Sequence, residues 1–135
     1  MYRFKQRAFT LVELLVVMAL LALSLSIVLP LTVKQVDSAR YRGERELAAM
    51  FIQRMRHNSF FLSRPMQLSV SGKEMVASSG GFTQKLQLQY VAFDEQDVEF
   101  KPLDTATAYE FTASIGESAW TLKIENQSTN WFNAD

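Results

Sequence analysis

Histidine and cysteine, two residue types on which catalysis and metal binding often draw, are nearly absent from this chain. His57 is the only histidine and there is no cysteine, so there is no thiolate nucleophile and no disulfide, and a His-based triad or metal centre would need help from other residue types. Set in a helical stretch, His57 reads as a helix-surface residue. Asp94, Glu95, Asp97 and Glu99 fall within six positions, an oxygen-rich spacing of the sort that holds calcium. The glycine and terminal glutamate of the EF-hand loop pattern are missing, and a solvated connection is the plainer reading. Gly80-Gly81 lacks the strand and helix that frame a phosphate loop. Asn126-Gln127-Ser128 fits a glycosylation sequon, a pattern that chance supplies often. These residues do not make an enzyme, and no cofactor or metal is expected. The acid that stands apart is Glu13, the sole charge in residues 9–33.

Residues 14–33 read LLVVMALLALSLSIVLPLTV, 20 positions without a charge. A helix of about 20 apolar residues spans the ~30 Å hydrocarbon core of a bilayer. Arg3, Lys5 and Arg7 precede it, which predicts a cytoplasmic N-terminus and a C-terminal part across the membrane. As a secretory signal peptide the segment would be cut near Ala22-Leu23-Ser24, but Glu13 then interrupts the apolar region. As a plain signal anchor it has the right length and orientation and again leaves Glu13 unexplained. A charge at the centre of a membrane helix costs roughly 2.5–3.5 kcal/mol on insertion scales, so an acid there is a functional-site hypothesis by default.

The stretch Ala8-Phe9-Thr10-Leu11-Val12-Glu13-Leu14-Leu15 resembles the processing site of type IV pilins and type II secretion pseudopilins. The resemblance implies that a prepilin peptidase removes a basic leader, residues 1–8, between Ala8 and Phe9. Phe9 would then become the first residue, N-methylated, with Glu13 the fifth. Pro30 falls where many pilins carry a helix-loosening proline. The family usually has Gly before the cut; here Ala8, the next smallest residue, bears on the efficiency of cleavage. The resemblance covers roughly 25 residues. It implies partners: other pilins or pseudopilins, an inner-membrane assembly platform and membrane lipid. It also implies a single-pass inner-membrane protein with a periplasmic domain, incorporated into a pilus or pseudopilus.

Cleavage before Phe9 would create an α-amino group four residues from Glu13. A carboxylate in hydrocarbon seeks an opposite charge, and the resemblance implies that this is the amino terminus of a neighbouring subunit or of the same chain. Such pairing would set axial register. The alternative is that Glu13 lies at the membrane surface without that role. Pro30 removes a backbone donor and frees the carbonyl of Ser26, with Ser24 and Ser26 able to offer hydroxyl compensation. It is either a weak point of the helix during assembly or a simple kink at the membrane exit.

Lys+Arg and Asp+Glu each total 14, but residues 34–64 carry a balance of +4 and residues 65–135 a balance of −6. The bases cluster as Arg40, Arg42, Arg45, Arg54 and Arg56 on the expected helix. There they suit lipid headgroups and inter-subunit contacts better than phosphate recognition. Nucleic acid is therefore not an expected partner, although a membrane-anchored DNA-uptake or other periplasmic binding module is the alternative function. Trp131 and Phe132, in a tail without a base, form either a partner-contact patch or a cover for the end of the sheet.

Beyond residue 33 the pattern stays helical and turns amphipathic. Leu47, Ala48, Phe51, Met55 and Leu62 draw an apolar stripe. Arg40/Glu44 and Arg42/Glu46 are i,i+4 pairs expected on a wet face. Pro65 marks the stop, so one helix is expected over 9–62. The period then changes to two. Met66, Leu68 and Val70 alternate with polar residues, and residues 73–77 return after Ser71-Gly72 as a hairpin. Leu86, Leu88 and Tyr90 define a half-buried strand, with further strands at 98–101, 109–115 and 119–125. Residues 78–81, 94–97 and 102–107 read as connections. The expected fold is α+β and pilin-like: a long N-terminal helix, transmembrane in its first half and amphipathic in its second, packed on an antiparallel sheet. The domains are a leader (1–8), an assembly helix (9–33) and a periplasmic domain (34–135). The C-terminal region also resembles, more loosely, the GspH/FimT-type minor pseudopilins, through RPMQLSV after the helix and VEFKP before two strands. The function expected is that of a minor pilin or pseudopilin, a structural subunit of a type II secretion pseudopilus or type IV pilus.

Overall fold

A computed structural model describes residues 9–104, 107–125 and 128–134, apart from the side chains of residues 29–31. One helix, α1 (Leu11–Leu62), is followed by β1 (Met66–Gly72), β2 (Glu74–Ser79), β3 (Phe82–Gln87), β4 (Val91–Phe100), β5 (Tyr109–Ile115), β6 (Ser118–Glu125) and β7 (Ser128–Asn133). The chain divides into two units, Met1–Ser38 and Ala39–Asp135. In the first, the described residues are 9–38, the part of α1 up to Ser38 and the two residues before it. Its large apolar side chains from Leu11 to Val36 are exposed all round the helix, the pattern of a segment that meets lipid or other helices.

In the second unit the seven strands form one antiparallel sheet in the order β3-β2-β1-β4-β5-β6-β7. Hairpins join every neighbouring pair except β1 and β4, which close around β2 and β3. Gly80 and Gly81, with φ of 52° and 91°, fill the two-residue turn between Ser79 and Phe82. Both central positions of that turn need positive φ, and glycine adopts it without a Cβ clash.

One face of the sheet receives the second half of α1. Ile52 and Met55 of the helix are fully buried against Leu68 and Val70 of β1, Phe93 and Phe100 of β4, Phe111 of β5 and Leu122 and Ile124 of β6. Ala48 and Ala49 are small enough to let the helix backbone approach the sheet. The buried stripe is thus Ala48, Ile52, Met55 and Ser59. Two expected members, Leu47 and Leu62, are exposed at 51% and 58%, and Phe51 is only half-buried. Apolar residues also flank this stripe on its solvent side; the face that packs follows the i, i+4, i+7 and i+11 positions from Ala48.

The helix ends three residues before Pro65. Ser63 takes a left-handed φ of 49°, its N–H meets the carbonyl of Phe60 at 3.2 Å, and the N–H of Arg64 meets the carbonyl of Ser59 at 3.3 Å. These two bonds make a Schellman cap, in which Ser63 occupies the position that usually holds glycine. The buried Ser59 hydroxyl lies within reach of two carbonyls, Arg64 at 2.9 Å and Phe100 at 2.8 Å. It ties the helix end to the end of β4.

Three expectations along the strands need correction. Ser78 and Ser79, expected in a connection, are the last residues of β2, and only Gly80-Gly81 form the turn. Residues 94–97 lie inside β4 instead of forming a connection. Val70 pairs with Gln96 and Gly72 with Phe93, so β4 carries an extra residue at Asp94-Glu95. This bulge shifts the alternation by one. Val91 and Phe93 face the core before it, and Phe100 after it, which is why no single period of two runs through the segment. The strand expected around Leu86 to Tyr90 is β3, displaced towards Phe82. The final strand, β7, has no periodic signal of its own, because its six residues contain only Trp131 and Phe132 as large apolar positions.

Candidate functional site

The start of α1 is built from Phe9, Thr10 and Glu13. Phe9 lies outside the helix and is 71% exposed. Thr10 is the N-cap. Its carbonyl accepts the N–H of Leu14 at 3.2 Å, the first helical bond. Its Oγ1 accepts the N–H of Glu13 at 3.2 Å, satisfying one of the amides that a helix start leaves without an intrahelical partner. Glu13 is thereby in the first turn, where the positive end of the helix dipole favours an anion by about 0.3–1 kcal/mol at an exposed surface. Thr10 and Glu13 have the Thr-x-x-Glu spacing of a capping box. That spacing is visible in the sequence and names Thr10, a residue that reading Glu13 purely as a membrane charge passes over.

Ala8 lies outside the described residues. Pro30 is inside the span of α1, and its side chain lies outside the described residues. The hydroxyls expected to compensate the Ser26 carbonyl are used elsewhere: Ser24 Oγ donates to Leu20 at 2.9 Å and Ser26 Oγ to Leu23 at 2.8 Å. Each bonds back towards its own preceding turn, the ordinary way a hydroxyl is satisfied in an apolar helix. Thr32 Oγ1 likewise donates to Val28 at 3.3 Å. Among the described residues α1 is the one helix long and apolar enough to cross a membrane.

In the second unit the polar side chains facing the sheet act as fasteners. Glu44, expected on a wet face, is half-buried and accepts three backbone N–H groups, from Gln89 at 2.7 Å, Tyr90 at 2.7 Å and Val91 at 3.0 Å. The guanidinium of Arg45 lies 4.4 Å from the ring centroid of Trp120, a cation–π distance. Gln53 of α1 donates to Thr129 of β7. Trp131 of β7 lies tilted against Phe93 with ring centroids 6.1 Å apart, so its ring packs on the core while Phe132 stays 52% exposed.

His57 is exposed, with its ring edge-on to Phe61 at 6.5 Å. Asp104 has its pKa lowered, chiefly by the hydroxyl hydrogen bond from Thr107. Tyr109 has its pKa raised, chiefly by desolvation and then by the Asp104 charge. Among the described residues no three His, Cys, Asp or Glu side chains are grouped to hold a metal ion.

Residues 3–29 match the family model described as the prokaryotic N-terminal methylation motif. The match contains Phe9, Thr10, Glu13 and most of the apolar run, and it supports a type IV pilin-like protein. No curated protein and no solved structure matches the chain.

Proposed function

We propose that this chain is a minor pilin or pseudopilin, a structural subunit of a type II secretion pseudopilus or a type IV pilus. The observation that carries the reading is the methylation motif at residues 3–29, which supports both processing by a prepilin peptidase and assembly with other pilins. An exposed apolar helix with a single acid in its first turn, continuing into a helix face that packs on a sheet, is what such a subunit needs. The first part serves the membrane and then the filament; the second anchors a folded domain on the far side.

In this reading the leader, residues 1–8, stays cytoplasmic and is removed between Ala8 and Phe9. The domain of residues 34–135 lies in the periplasm. Glu13 pairs with a terminal amine and sets register, and the helix loosens at Pro30 during assembly. The looser resemblance to GspH/FimT-type proteins favours a minor over a major subunit. Mass spectrometry of protein extracted from membranes tests the reading. A chain beginning at N-methylated Phe9 is the expected result. A chain that keeps Met1, or begins near Leu25, removes it.

A further inference from the structure

The first turn of α1 is closed by one residue that has no substitute nearby. Thr10 is the only Ser, Thr, Asp, Asn or Gly in residues 1–23, and these are the residue types that helix starts prefer. Just upstream, Lys5, Gln6, Arg7 and Ala8 are all good helix formers. Nothing in the composition of the leader would therefore stop a helix that had lost its cap from growing towards it. With the cap in place, helix geometry begins at Leu11 and Phe9 is exposed outside it.

A peptide bond inside a helix is a poor substrate. Its carbonyl is held in a backbone hydrogen bond and its approaches are covered by side chains, so it must first open locally. We infer that Thr10 is a positioning residue for removal of the leader: its hydroxyl fixes the helix start at Leu11 and keeps Phe9, on the amine side of the proposed cut, outside the helix and open to a peptidase. The inference rests on the cleavage site proposed above. In the reaction, water adds to the Ala8 carbonyl, the bond to the Phe9 nitrogen breaks, and the released amine takes a proton. Thr10 takes no part in those steps; it sets the population of chains in which they can begin.

The test uses the full uncleaved chain in lipid bicelles with a purified prepilin peptidase, following release of the leader by mass. Thr10→Val keeps the shape of the side chain and removes the acceptor. It should slow cleavage measurably, by up to about five-fold, the largest population change expected from loss of one cap of typical strength. Thr10→Ser and Thr10→Asn both restore an acceptor and should both restore the rate. In the same samples, backbone carbon shifts should show helix reaching into residues 6–9 in Thr10→Val and in neither rescuing variant. The inference is overturned if Thr10→Val is cut as fast as the parent, or if it is slowed with no growth of the helix. Rescue by Ser without rescue by Asn also overturns it, because the peptidase would then be touching the hydroxyl itself. A parent that is not cut between Ala8 and Phe9 sinks the processing reading together with the inference; a parent that is cut leaves that reading standing whatever the variants do.

Discussion

The carboxylate of Glu44 on α1 takes the backbone N–H of Val91, the first residue of β4, at 3.0 Å, and those of Tyr90 and Gln89 at 2.7 Å. Gln89 and Tyr90 lie between β3 and β4, outside either strand, so this acid supplies the acceptor that a ladder would otherwise provide. Glu44→Ala should destabilise the second unit by about 2–4 kcal/mol, since hydrogen bonds to a charged group are among the stronger ones and three amides lose their acceptor together. Glu44→Gln should recover part of the loss, because one side-chain oxygen remains. Thermal unfolding of the residue 39–135 fragment measures both. A wild-type midpoint in Glu44→Ala would mean that water serves these amides equally well.

The buried stripe makes a graded prediction. Ile52→Ala should cost about 2–5 kcal/mol and Ile52→Val about 0.5–1.5, as expected for a fully buried aliphatic side chain. Phe51→Ala should cost less than Ile52→Ala, at about 1–2 kcal/mol, because the Phe51 ring is only partly removed from water. Denaturant unfolding of the same fragment gives the order. If Phe51→Ala is the most damaging of the three, the helix face has been misassigned.

Ser63 holds a left-handed φ of 49° at the C′ position of α1. Serine is strained there and glycine is not, although glycine gains freedom in the unfolded chain. Ser63→Gly should therefore stabilise by roughly 0.5–1 kcal/mol, and Ser63→Val should destabilise by more than that. Ser59→Ala should cost about 1–3 kcal/mol, because the buried carbonyl of Phe100 loses its hydroxyl donor. Equal midpoints for Ser63→Gly and Ser63→Val would sink the account of the helix end.

These sites also show where sequence was legible and where it was not. The long helix follows from a charge-free run that passes into an apolar stripe, its end near Leu62 from Pro65, and the strand of residues 109–115 from an alternation that runs unbroken through it. The bulge at Asp94-Glu95 breaks that period, and four acids in six positions then look like a loop. Strand β7 is held by a register with β6 and by Trp131 on Phe93, contacts that no window of its own six residues contains. Glu44 looks like half of a helical ion pair until the folded sheet brings three amides to it, 45 to 47 positions away in sequence. At the start of α1 the signal is local: Thr10-x-x-Glu13 is readable as a cap within four residues of sequence.

Glu13 should matter for assembly and little for anything before it. It is the sole charge in residues 9–33 and sits in the first turn of α1. It lies four residues from the amino group that processing would create. Glu13→Val makes the span more apolar, so membrane insertion should be kept or improved. Its backbone N–H can still reach Thr10 Oγ1, so the helix start should survive, less the small contribution of an acid at the dipole's positive end, about 0.3–1 kcal/mol. Cleavage should persist for the same reason. What is lost is the charge that would meet a terminal amine in hydrocarbon, and with it the register between subunits. Glu13→Gln separates the two roles. It keeps a polar side chain at the third helical position, as a capping box requires, and removes the charge. Cross-linking between cysteines placed in adjacent helices should fail for Glu13→Gln and Glu13→Val alike. If Glu13→Gln assembles like the parent while Glu13→Val does not, the side chain serves the helix start and hydrogen bonding alone; if both assemble, Glu13 is a membrane-surface residue with no part in register.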